Sequence, residues 1–216
     1  MAVTYPCHHR LMSEPAARPP GDAAAALAVA TARDALRRKE TETSELVDET
    51  AAADPDARAA LGAPGATFVT LKRAGRLRGC IGTLVAHRAL GADIVHNTRR
   101  AMVDPRLAPV DASEWPELWI SVSLLSEPEP LDVDGLDSLC AALRPGVDGL
   151  TLRQDLRRAT FLPSVWESID EPGKFVAQLL RKGGWEPGSW PAGMTAEIYH
   201  AHSHSSEPPR PPLGES

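Results

Sequence analysis

The chain has 216 residues, 43% of them hydrophobic, enough to bury a core as one domain or as one domain with a smaller lobe. A formal net charge of -6 excludes a general nucleic-acid binder, because affinity for a phosphate backbone needs clustered Lys and Arg. Three cysteines, Cys7, Cys80 and Cys140, are too few for a disulfide framework or a four-cysteine zinc site and fit a reducing, cytoplasmic setting. The N-terminus lacks the apolar centre of a signal peptide, and the alanine run from Ala23 meets Arg33 and Asp34 well short of a membrane span, so no membrane association is expected.

Residues 1–21 and 203–216 are polar and rich in proline and read as disordered tails around a domain at 22–202. Asp22 is a good N-cap for a helix through "AAAALAVATARDALRRK" ending near Lys39. An acidic run follows, from Glu40 to Asp56, and then a basic segment from Lys72 to Arg106. Such runs read either as solvated faces of a helix and a hairpin or, for the basic one, as a pocket for an anion. "TFVTLKR", "AGR" and "LRGCIGTLV" form a β-hairpin that presents Cys80. Leu90, Ile94, Val95, Thr98 and Met102 recur at helical spacing until Pro105 stops the helix.

"ELWISVSLLSEP" alternates as a half-buried strand. A short helix "LDSLCAALR", a strand "LTLRQ", the mixed segment "TFLPSVWESI" and a helix "FVAQLLRK" ended by Gly183 and Gly184 follow. "MTAEIYHAH" reads as one closing strand. Hairpins outnumber βαβ units, so the expected class is α+β, with a mixed, largely antiparallel sheet flanked by helices and a smaller second lobe.

In a regular strand Arg78, Cys80 and Gly82 share one face. The Arg78 guanidinium then lies beside the sulfur, where a cation favours the reactive thiolate and makes Cys80 a nucleophile candidate. Gly79 and Gly82, lacking Cβ atoms, admit a ligand or another backbone. His87 and His96 are the nearest bases in sequence. The competing reading is structural: free cysteine often behaves as a small buried hydrophobe, with glycines marking tight sheet packing.

"LRGCIGTL", "DPR" at Asp104 to Arg106, "ISVSLLSEPEPL", "LRPGVDGL", "TFLPSVWE" and "FVAQLLRKGGW", in that order over roughly residues 23–201, closely resemble the AMMECR domain family, whose bacterial members are called AmmeMemoRadiSam system protein A. The chain departs from the common "FRDPRF" pattern by carrying Val103 and Leu107 where aromatics are usual. The resemblance implies an α+β domain with a signature cysteine in a cleft, working beside a radical S-adenosylmethionine (radical SAM) enzyme and a Memo-like protein. It also implies that Thr83 and Asn97 orient a substrate.

Two functions follow as expectations. One is a cysteine-dependent enzyme acting on a small anionic molecule or modified residue, with Cys80 as nucleophile and Arg78, Gly79, Gly82, Thr83 and Asn97 binding substrate. The other is a non-catalytic adaptor that presents a substrate or peptide to those partners. No metal and no cofactor is assigned. Cys7 with His8 and His9, and the alternating His200, His202 and His204, read as solvated side chains in or beside the tails.

Overall fold

The structure, a computed structural model, describes residues 21–214. The expected N-terminal tail, apart from Gly21, lies outside the described residues, as do Cys7, His8 and His9. The first lobe begins with three helices, α1 (Gly21–Leu36), α2 (Thr43–Thr50) and α3 (Pro55–Gly62). It continues through β1 (Pro64–Arg73), β2 (Arg76–Gly82), β3 (Arg88–Ala89), α4 (Leu90–Met102) and β4 (Leu118–Leu125). The second lobe holds β5 (Glu129–Leu131), α5 (Leu136–Ala142), β6 (Gly149–Gln154), β7 (Arg157–Phe161), α6 (Pro172–Lys182) and β8 (Thr195–Tyr199). The chain then returns to the first lobe as β9 (Ala201–Ser206).

The α+β class expected from the sequence stands, with two antiparallel sheets rather than one. The first runs β2-β1-β4-β9, with β3 on the start of β1, and the second runs β5-β8-β6-β7. "MTAEIYHAH" is therefore not one strand: β8 belongs to the second sheet and β9 to the first, and His200 is where the chain crosses. Ser126 makes the opposite crossing alongside it. The Ser126 amide donates to the His200 carbonyl at 2.9 Å, and the His200 amide donates to Ser126 Oγ at 2.9 Å.

The C-terminal limit also moves. Residues 203–206, expected in a tail, complete β9 against β4. Arg210 is buried, donating to the Leu118 carbonyl at 2.8 Å and lying 5.1 Å from the Trp115 ring. A run of Ser and His can serve as an edge strand because the neighbouring strand supplies its hydrogen bonds, whatever its apolar content.

Each helix forms where the sequence supplies a stripe to bury. Ala24, Leu27, Ala28, Thr31 and Ala32 put one face of α1 in the core, and Asp22 falls inside its first turn. Leu90, Ile94, Val95, Thr98 and Met102 do the same for α4, all buried as their spacing predicts. Both helices cover one face of the first sheet, where Val69, Leu71, Ile120, Val122 and Leu124 point inward. The acidic run supplies α2 and α3: Leu46, Ala57 and Leu61 are buried, Glu45, Asp48, Glu49 and Asp56 face solvent, and Asp54 caps α3 by accepting from the Asp56 and Ala57 amides. In the second lobe Leu150 and Leu152 pack on Phe175, Leu179 and Leu180 of α6, and Trp166 stacks on Phe175 at 3.8 Å. Among the described residues no helix is long and apolar enough to cross a membrane.

Candidate functional site

Among the described residues the other face of the first sheet carries no helix of the first lobe, and cross-strand register sets out what it presents. Cys80, Thr70, Ser121 and Ser205 lie in one row across the four strands, and Gly82, Phe68, Ser123 and Ser203 in the next. The second lobe stands over this face. A cleft of about 390 Å3 between the lobes is lined by Ser123, Ala201 and Ser203 on one side and by Leu162, Pro163 and Glu167 among others on the opposite side.

Cys80 is half-buried at one end of this face, and Thr70 Oγ1 donates to its sulfur at 3.4 Å. Its backbone is pinned from both sides. The Cys80 amide donates to Asp104 Oδ2 at 3.0 Å, and its carbonyl accepts from Arg106 Nη2 at 2.8 Å. Asp104 and Arg106 pair at 2.6 Å, so the "DPR" turn is both helix terminator and clamp on the cysteine. The Arg106 guanidinium, with the Cys80 amide second, holds the buried Asp104 carboxyl well below the usual carboxylate range.

From the second lobe, Lys182 at the end of α6 reaches the same place. It donates to the Thr160 carbonyl at 2.9 Å, lies 5.0 Å from the Phe161 ring, and is held below the ordinary lysine value by burial and then by the charge of Arg106. Arg106, which holds the Cys80 carbonyl, and Lys182, from the other lobe, are thus close enough for their charges to interact.

Arg78 is not one of them, which corrects the expected activator. β2 carries a bulge: Gly79 pairs with Leu71 and Leu77 with Lys72, leaving Arg78 as the extra residue. The bulge breaks the alternation and sends Arg78 to Glu114, where Nε donates at 2.6 Å and Nη2 at 2.8 Å. Glu114 is held low first by that guanidinium, and it caps the 3-10 turn at Ala112–Glu117 through the Asp111 amide. Arg73, Arg88 and Arg99 likewise sit against acids, so the basic segment is mostly spent on ion pairs within the lobe.

The glycines open no groove either. A Cβ on Gly79 would lie 2.0 Å from the Ala101 carbonyl oxygen, and one on Gly82 would lie 2.2 Å from the Phe68 ring. Gly79 lets α4 touch the sheet, and Gly82 lets Phe68 lie over the strand.

Thr83 and Asn97 meet, but around a buried aspartate rather than a cleft. Asp93 accepts from the Thr67 amide at 2.9 Å, Thr67 Oγ1 at 2.8 Å, Thr83 Oγ1 at 2.8 Å and Asn97 Nδ2 at 2.9 Å. Asn97 is 1% exposed and donates also to the Thr67 carbonyl at 3.1 Å. These side chains lock the end of the hairpin onto α4, and their bonds are used up in doing so.

The histidines scatter. His87 lies exposed in the loop after β2, and His96 is exposed on the outer side of α4, where burial and then Arg88 lower its pKa. His200 lies 3.2 Å from Asp148, His204 packs over Gly21, and neither joins Cys80. Among the described residues no three His, Cys, Asp or Glu are grouped to hold a metal.

Sequence reasoning missed the roles of Asp93, Glu114, Phe68 and Lys182. Counting register outward from Ala74 and Gly75 would set Val69 opposite Cys80, because only the bulge at Arg78 moves the pairing to Thr70.

The Asp104 clamp predicts a pH dependence. A carboxyl depressed in the folded state adds stability that is present above its unfolded pKa and is lost as pH falls through the folded one. Urea unfolding across pH should therefore show Asp104→Asn less stable by a constant margin down to about pH 4, with the margin narrowing on further acidification.

A model of the AMMECR1 family matches residues 29–204. A protein of Methanothermobacter thermautotrophicus is 33% identical over 126 residues, covering 56% of this chain and 64% of the relative. The chain thus spans just under two thirds of that relative's length. A Methanopyrus kandleri protein is 33% identical over 159 residues, covering 68% of this chain and 74% of its own. The crystal structure of an uncharacterized protein from Pyrococcus horikoshii superposes with a TM-score of 0.75 at 26% identity, covering 89% of this chain and 94% of that one.

Proposed function

The chain belongs to the AMMECR1 family, and from that premise we propose that the cleft is a substrate site in which Cys80 is a thiol nucleophile toward a small anionic molecule or modified residue. One observation carries the reading: a half-buried sulfur, hydrogen-bonded by Thr70, on a residue whose carbonyl is held by Arg106, with Lys182 of the second lobe near enough to feel the charge of Arg106. Two cations that close on one point form a seat for an anionic group, and a thiolate beside them is the species that attacks.

The wider setting is that of a cytoplasmic component of an AmmeMemoRadiSam-type system, acting with a radical SAM enzyme and a Memo-like protein. The adaptor function is the second reading. It is favoured by the fact that Thr70 is the side-chain hydrogen-bond partner of Cys80 among the described residues, with no histidine positioned as a base.

Alkylation by iodoacetamide at neutral pH, read residue by residue by mass mapping, tests the nucleophile. Cys140, whose thiol is pushed up by burial and then by Asp137, is the internal reference. Cys80 is expected to react at least about ten-fold faster than Cys140. Inorganic phosphate should slow Cys80 alone, and Lys182→Met should remove that protection. Equal rates at the two cysteines would leave the adaptor reading, in which Cys80→Ser retains partner binding.

A further inference from the structure

The outer side of α4 carries a second recess, of about 410 Å3, a size in the range of small-molecule sites. Its lining holds Arg88, His96, Arg99 and Arg100 and, among the described residues, no carboxylate, on a chain whose formal net charge is -6. Three elements build it. His96 and Arg100 stand one turn apart on α4, Arg88 comes from β3, and Thr43 is the first residue of α2. Between them the lining is small or buried, supplied by Ala92 and Val95.

These cations are unequally engaged. Arg99 frames the site: its Nη2 donates to the Thr41 carbonyl at 2.6 Å and lies 3.6 Å from Asp34. Arg88 comes nearest to Asp93 with Nε, at 3.5 Å, and none of its N–H groups makes a hydrogen bond among the described residues. The Asp93 oxygens are already filled by Thr67, Thr83 and Asn97. Arg100 is exposed and has neither an ion pair nor a side-chain hydrogen bond among the described residues, and the Thr43 hydroxyl has no hydrogen bond there either. A helix C-terminus suits Arg99 and Arg100, which lie in the last turn of α4, but accounts for neither Arg88 nor His96. Burial and then the charges of Arg88 and Arg100 lower the His96 pKa, with Asp93 opposing them.

Beyond Arg99 the positive surface ends. The neighbouring recess that shares this residue mixes Arg38 and Lys39 with Glu40 and Glu42, so it offers no track for a polyanionic chain. What suits the site is one compact, doubly charged group. A phosphoryl group presents three oxygens to donors arriving from three elements, whereas a carboxylate presents two and carries a single charge.

We infer that the recess binds the phosphoryl group of a small phosphomonoester between Arg88, His96 and Arg100, with the Thr43 hydroxyl as a further donor. The site lies on α4, which covers the face of the first sheet opposite the cleft, and it stands whether or not Cys80 is a nucleophile.

The test is titration of the isotopically labelled full chain with inorganic phosphate and with ethyl phosphate at fixed ionic strength, read at the imidazole signals by NMR. Both should shift His96 saturably in the millimolar range and leave His202 unmoved, and the bound dianion should raise the His96 midpoint toward that of an ordinary histidine. Arg100→Gln, an exposed change expected to leave Tm within a degree or two, should weaken binding about five-fold, and the double variant Arg88→Gln, Arg100→Gln should lose the shift. Lys182→Met should bind as the unmodified chain does, which separates this site from any phosphate held near Cys80. A His96 signal that moves equally with chloride, acetate binding as tightly as phosphate, a shift that survives the double variant, or capture by phosphatidylglycerol vesicles without any response to ethyl phosphate would each overturn it.

Discussion

Replacing Asp93 by Ala is expected to lower the unfolding free energy by about 3 kcal/mol or more, the largest loss from any single polar side chain in the first lobe. Asp93 is wholly buried and accepts hydrogen bonds from four donors on three residues, with Arg88 at 3.5 Å beyond them. Removing it leaves the Thr67 amide and hydroxyl without this acceptor away from water, and each unsatisfied buried donor costs about 1–3 kcal/mol. For a domain of this size the corresponding fall in Tm is about 10 °C. Asp93→Asn keeps one acceptor oxygen and should fall between the two. If Asp93→Ala melts within a degree or two of the unmodified protein, the network is incidental to stability.

Gly79→Ala is expected to cost about 3 kcal/mol, at the upper end of overpacking, because the intruding methyl meets backbone. The Ala101 carbonyl oxygen, 2.0 Å from the new Cβ, cannot swing aside without moving the end of α4. Asp104 follows directly on that end, so the same shift pulls its carboxylate from the Cys80 amide. Stability and Cys80 alkylation should therefore change together. Gly62→Ala is the control: nothing lies within 4 Å of its Cβ, and thermal melting should be unaltered or slightly raised. Intact stability in Gly79→Ala would show that α4 and β2 can part without cost.

How far the sequence could be read follows from where each signal lies. The β1–β2 hairpin was legible because alternation and a Gly-bearing turn are local, and α4 because its apolar spacing is. Arg78 was placed on the wrong face because a one-residue bulge inverts side-chain direction while leaving composition untouched. Thr83 and Asn97 come together, but the pattern gave no means of telling a polar pair that faces a ligand from one that faces Asp93. Arg106 holds the Cys80 carbonyl through a turn and Lys182 approaches Arg106 from a second lobe, and no periodicity carries that information. The split of "MTAEIYHAH" between two sheets was equally hidden, since β8 and β9 are both extended and differ only in their neighbours.

The paired crossings at Ser126 and His200 have a topological consequence. Leu125 and Ala201 are direct partners on β4 and β9, with Cα atoms roughly 5 Å apart. In connectivity, the whole second lobe is spliced into the tip of what would otherwise be an ordinary hairpin. During synthesis β4 must wait with a bare edge until that inserted unit has emerged, because β9 comes after it. Cut out and replaced by a tight turn, the unit would leave every neighbour relation of the first sheet unchanged while removing one jaw of the cleft.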